Sequence, residues 1–297
     1  YAIAFSAFVA LVVAVFCVQN LGFFSQRSGS IAYVLTKMNV YPPFTEGVYY
    51  LMALKGVAFM LSRVIVPIDM APEYVYTLPE GFTDPWVLSA LFIIAGTLLA
   101  LPFLFRRSPL TFFFTLWAIM FWLFTCNLIW PLSYFAADRY LYVPMSGFVV
   151  LFALALKEMV GKKSLYAAVS ILFVCGLSWA TWQQNTIWLA PKSLWQHAVR
   201  VSPESTTALN NLGQIFSDER RYEEAIELFQ KAATVNTSVK SPRYNLAYVY
   251  DKTGQAPLAI YYAREYLLRV ANSRDPLDMK RASIIRRHFK KKYDLTL

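Results

Sequence analysis

The sequence predicts an all-α chain in two parts, a polytopic helical membrane domain over 1–189 followed by an α-solenoid over 190–297. Two observations predict it. The chain is 57% hydrophobic and only 15% charged, against the ~25% charge of a soluble domain, and the charge is unevenly shared. Residues 1–189 hold 10 Lys and Arg with 7 Asp and Glu, whereas residues 190–297 hold 18 and 11. The second observation is a 34-residue period confined to the polar part. Leu212 and Leu246, Phe216 and Tyr250, and Ala225 and Ala259 all stand that far apart.

The membrane part is read from charge-free apolar runs. Stretches 2–24, 86–105, 110–130 and 164–182 are each long enough to span a bilayer. A fifth, 141–156, becomes adequate once Tyr140 and the following turn are counted. Arg106 and Arg107 fall in one short connection, and Lys157, Lys162 and Lys163 in another. Both are predicted to be cytoplasmic, since short cytoplasmic loops are rich in Lys and Arg. Alternation then places the loop holding Asp138 and Arg139, and everything from about Gln183 onward, on the opposite side. Residues 45–67 are apolar except for Lys55 and Arg63, which sit eight apart and share a helical face. A single cationic stripe predicts a helix lying in the extracytoplasmic interface, with a true span as the alternative. Residues 67–85, rich in Pro and acids, read as a loop ordered by its surroundings.

The chemistry concentrates at 136–144, AADRYLYVP. Asp138 and Arg139, flanked by Tyr134, Tyr140 and Tyr142, lie at the seam between two spans, where ionisable groups are costly unless paired or used. The alternative is a structural Asp–Arg pair with interfacial tyrosines anchoring helix ends.

The 34-residue period is that of the tetratricopeptide repeat. One copy occupies 206–239, with Leu212, Gly213 and Ala225 at packing positions; a second occupies 240–273, with Leu246, Ala247 and Ala259. Small residues there let paired helices approach. Two repeats need caps to close a core. A half repeat after the last span and a helix near 276–292 are expected to supply them. That last helix carries Lys280, Arg281, Arg286, Arg287, Lys290, Lys291 and Lys292. Such a run suits an anionic surface or a solvated cap, and the extracytoplasmic placement argues against nucleic acid.

Other motifs are sparse. Cys17, Cys126 and Cys175 fall in apolar runs and read as small core residues; His197 and His288 form no metal spacing. Asn236–Thr237–Ser238 matches a glycosylation acceptor. The chain opens on Tyr1 inside an apolar run, so the expectation is the C-terminal portion of a longer protein without a signal peptide here.

The run Pro67, Met70, Glu73 and Tyr74 (PxxMAPEY), then AADRYLYVPMSGF, then a direct passage into the repeats, resembles the transmembrane and tetratricopeptide repeat-containing family. The resemblance implies a protein O-mannosyltransferase-like membrane glycosyltransferase that uses a polyprenyl-phosphate sugar. It also implies repeats on the lumenal or periplasmic side, in the endoplasmic reticulum or at a bacterial inner membrane. The catalytic acid of such enzymes, which serves as base or metal contact, is expected in a first external loop. No early acidic pair precedes the first span here. The lipid-phosphate candidates are therefore Arg139 with Asp138, Tyr140, Tyr142, Arg63 and Lys55; a divalent metal is left open. The non-catalytic alternative is a membrane-anchored scaffold whose repeats hold a partner protein.

Overall fold

The computed structural model describes residues 46–294 apart from 66, 68, 76, 130, 131, 133, 134 and 161. The expected span at 2–24, with Cys17, and Tyr134 lie outside the described residues. Helices dominate, and the isolated antiparallel bridge Tyr74–Ala136 joins two loops.

The membrane part comprises α1 (Glu46–Ile65), α2 (Pro85–Arg107), α3 (Pro109–Leu123), α4 (Pro144–Val160) and α5 (Lys163–Trp188), with a 3-10 turn at Asp138–Leu141 between α3 and α4. Among the described residues α1, α2 and α5 are long and apolar enough to cross a membrane. Large apolar side chains along α2, such as Phe92, Leu99 and Phe103, are exposed. That suits a hydrocarbon solvent. The start of α2 is set by Asp84, whose carboxylate accepts from the N–H groups of Trp86 and Val87, with Pro85 in the first turn.

Three expectations change. The span at 110–130 is helical only to Leu123, because the chain turns at Asn127, a buried residue at φ 62°. Its side-chain amide donates to the Phe135 carbonyl and its side-chain oxygen accepts from Leu132 N–H. That is the left-handed conformation asparagine tolerates better than most. The run at 164–182 becomes a 26-residue helix, about 39 Å at 1.5 Å per residue. It therefore outlasts a ~30 Å hydrocarbon core and carries the chain onward to the repeats.

The third change concerns α1, whose cationic stripe is turned inward. Lys55 is buried against Asp84 at 2.8 Å, and the Arg63 guanidinium lies over the rings of Phe59 and Tyr74. An interfacial helix needs that stripe among headgroups, so the argument for an interfacial placement fails, and α1 stands as a candidate span packed on α2.

The repeats comprise α6 (Pro191–Val201), α7 (Thr206–Asp218), α8 (Tyr222–Val235), α9 (Ser241–Lys252), α10 (Ala256–Val270) and α11 (Pro276–Tyr293). Leu212, Gly213, Ala225, Leu246, Ala247 and Ala259 are all buried where these helices meet. A Cβ on Gly213 would stand 2.7 Å from the Phe229 ring. Asn236 is only 6% exposed and its side-chain oxygen accepts from Ser238. The asparagine of the acceptor motif is thus folded away, while Thr237 and Ser238 are exposed.

Candidate functional site

The loop between α1 and α2 reaches three elements at once. Tyr74 pairs with Ala136 through the backbone at 3.0 Å, and its hydroxyl donates to Asp138 Oδ1 at 2.6 Å. Arg139 Nη1 donates to the Pro72 carbonyl at 2.9 Å. A small apolar core of Met60, Ala71, Tyr74, Ala136 and Leu141 lies beneath these bonds. The MAPEY and ADRYLY segments are therefore two sides of one assembly.

The same loop grips the repeats. The Met70 carbonyl accepts from Gln184 Nε2 at 2.8 Å, at the end of α5, and lies 3.1 Å from His197 Nε2 on α6. Ser202 Oγ accepts from Val75 N–H. Ser205, fully buried, caps α7 by accepting from Ala208 N–H while its hydroxyl donates to buried Glu73. One serine thus starts the first full repeat and ties it to the membrane domain. None of Gln184, His197, Ser202 or Ser205 carries a sequence motif, so these residues were missed. The nearest signal was Pro203, which marks the helix break between α6 and α7.

Electrostatically the site is an acid among cations. Burial pushes the Asp138 carboxyl up to about 6, against the opposing pulls of the Tyr74 hydrogen bond, the Arg63 charge, the Ala71 N–H and, last, the Arg139 charge. Its Oδ2 is buried without a hydrogen-bond partner, which suits a proton held there or a ligand donor. Tyr74 is pushed up in turn, by burial and then by the Asp138 charge.

The remaining candidates divide. Arg63 joins Tyr74 and Asp138. Arg139 is exposed and its guanidinium lies 5.1 Å from the centre of the Tyr140 ring. Tyr142 is 86% exposed and contributes no side-chain bond to the cluster. Lys55 leaves the anion-binding set: its ammonium is buried between Asp84 and Thr77. Although burial opposes it, the hydrogen bonds from Lys55 and from Trp86 and Val87 hold the Asp84 carboxyl below its usual range. Among the described residues no group of His, Cys, Asp and Glu is arranged to hold a metal.

Fold and site together define a class: a multi-helix membrane protein whose tetratricopeptide repeats are clasped to the membrane domain beside an Arg–Asp–Arg cluster. Comparison with known proteins agrees. The family described as Tetratricopeptide repeat matches residues 206–238. Protein O-mannosyl-transferase Tmtc3 of Drosophila melanogaster is 28% identical over 185 residues, 59% of this chain and 20% of that protein. Protein O-mannosyl-transferase TMTC1 of Homo sapiens is 28% identical over 138 residues, 44% of this chain and 16% of that protein. Protein O-mannosyl-transferase TMTC3 of Homo sapiens is 25% identical over 151 residues, 48% of this chain and 16% of that protein. The chain spans about a fifth or less of the length of these relatives. No solved structure matches. The chain is thus similar, over part of its length, to proteins named as O-mannosyl-transferases, and it carries a tetratricopeptide repeat.

Proposed function

We propose that this chain is part of a membrane glycosyltransferase that moves a sugar from a polyprenyl-phosphate donor to a protein acceptor held by the repeats. The repeats would stand on the periplasmic or lumenal side. One observation carries the reading: Arg63, Asp138 and Arg139 gather on the loop that also grips the first repeat helices. A donor site and an acceptor platform would then share one strut. A guanidinium presents a planar pair of donors that matches phosphate oxygens and stays charged at any working pH. Stabilising the phosphate as it departs is where such a group would contribute most. Asp138, with one oxygen free of partners and its carboxyl pushed up to about 6, is suited to hold or receive a proton in the same cluster.

A second reading is favoured by a specific observation. Arg139 and Asp138 both spend bonds on the MAPEY loop, as a structural fastening in a non-catalytic scaffold would. The two readings separate on Arg139. In the glycosyltransferase reading Arg139→Lys keeps the charge but loses the two-pronged donor, so sugar transfer by the full-length protein should fall at least about tenfold with an unchanged thermal midpoint. Normal transfer by the Lys variant would remove the phosphate role. Loss of fold in both Arg139→Lys and Arg139→Ala would favour the scaffold.

A further inference from the structure

We propose that residues 70–75 form an inhibitory latch on the phosphate site, one that the first repeat helices control. Displacing α6 and α7 draws the Pro72 carbonyl off Arg139 and opens the guanidinium to phosphate. This rests on the reading that Arg139 binds the donor phosphate and the repeats hold the acceptor, and it adds how the second reports to the first.

Six consecutive residues are committed, and their bonds run to both sides. The Met70 carbonyl meets Gln184 and His197, while Ala71 N–H turns back to the Tyr74 hydroxyl. From there the direction alternates. The Pro72 carbonyl faces Arg139, the Glu73 carboxylate faces Ser205, the Tyr74 hydroxyl faces Asp138 and Val75 N–H faces Ser202. One stretch of chain thus lies between the site and the repeats, and a shift on one side is felt on the other.

The bonds differ in what it costs to break them. On the repeat side Glu73, His197, Ser202 and Ser205 are all buried, where a lost bond leaves polar groups unpaired. On the site side Tyr74 is held doubly, by its backbone bond to Ala136 and its hydroxyl bond to Asp138. Arg139 is exposed, so water can replace the Pro72 carbonyl on Nη1 at little cost. A displacement carried into the loop therefore pivots on Tyr74 and gives way at Pro72. Just upstream, Asp69 stands at φ 52°, a left-handed conformation that is strained for a residue other than glycine, which gives the loop a relaxed alternative on release.

The bond that gives way is the one a phosphate needs. A guanidinium recognises phosphate through two parallel N–H groups, and Pro72 takes a hydrogen of Nη1 and ties the fork to the loop. Freeing Arg139 only when an acceptor loads the repeats would limit transfer of the sugar to water.

The test uses the full chain in nanodiscs of phosphatidylcholine, with geranyl phosphate as a short stand-in for the departing polyprenyl phosphate. Glu73→Ala, which loosens the repeat side, should bind it about fivefold tighter than the parent, because apparent affinity rises with the fraction of molecules already open. Glu73→Gln keeps an acceptor for Ser205 and should stay within about twofold. Ser202→Ala removes another acceptor from the same grip and should move affinity in the direction of Glu73→Ala, which keeps the test decisive should that variant not fold. By reciprocity, saturating geranyl phosphate should raise amide exchange at 197–205 in the parent and not in Arg139→Lys. Unchanged or weaker binding by the loosened variants, with exchange at 197–205 raised, would overturn the latch and leave the phosphate reading standing. Equal binding by the parent, Arg139→Lys and Arg139→Ala would remove the phosphate reading itself, and the latch with it.

Discussion

Asp138 shows how one side chain records its surroundings. Its carboxyl titrates near 6 rather than at the ordinary 3.8, because burial outweighs the Tyr74 bond and the two arginines. Between those values the folded chain binds more protons than the unfolded one, so stability is fully present below 3.8 and falls as pH rises through about 6. The span of the shift bounds the effect at about 3 kcal/mol. The depressed acids Asp84, Asp251 and Asp278 act the other way and only below 3.8, so the window is free of them. Asp138→Asn should therefore flatten the thermal midpoint between pH 4 and 6, where the parent declines. A parallel decline in the variant would mean that another group titrates there. AADRYLY was conspicuous in the sequence as charge at a membrane seam, but its nearest partners, Tyr74 and the Pro72 carbonyl, are more than sixty residues away. No local pattern encodes that pairing.

Among the elements, the repeats were the most legible, because their packing repeats at a fixed period and small residues mark helix contacts. Gly213 makes the point: even a methyl would meet the Phe229 ring at 2.7 Å, and Phe229 is itself buried. Gly213→Ala should cost about 1–3 kcal/mol by overpacking and lower the midpoint followed by helical circular dichroism. An unchanged midpoint would show that the ring can turn aside. Among the described residues the apolar helices were legible in place but not in length, and α1, α2 and α5 alone are long enough to cross a membrane. Hydropathy registers apolarity over 110–130 and is blind to the buried Asn127 that bends the chain after Leu123. Likewise, two cations on one face of α1 look like a water-facing stripe until Asp84, from the next loop, is found against Lys55. The error lay in treating the charge of α1 as exposed when its counter-charge came from elsewhere.

For the whole molecule the open question is how the two parts are joined and on which side the repeats stand. The two basic turns, at Arg106–Arg107 and around Lys162, predict cytoplasmic ends with the repeats opposite. A membrane-impermeant thiol reagent tests this in intact cells or sealed vesicles. It should label Ser283→Cys, on exposed α11, and miss Arg107→Cys; the reverse would invert the topology. The join itself is held by Glu73. It is buried and takes the hydroxyl of Ser205, the residue that caps α7, so removing its carboxylate loosens a helix start and a domain contact together. Loss of such a buried bond costs about 1–3 kcal/mol. Because the loop's hydrogen bonds to the solenoid, among the described residues, fall on His197, Ser202 and Ser205 at its beginning, that cost should fall on opening of 197–205 and not on α9 and α10. Glu73→Ala should thus raise amide exchange in 197–205 severalfold while 241–270 keeps its protection. Unchanged exchange would show that the loop's other bonds suffice without Glu73, and lost protection throughout would mean that the carboxylate supports the entire fold rather than its joint.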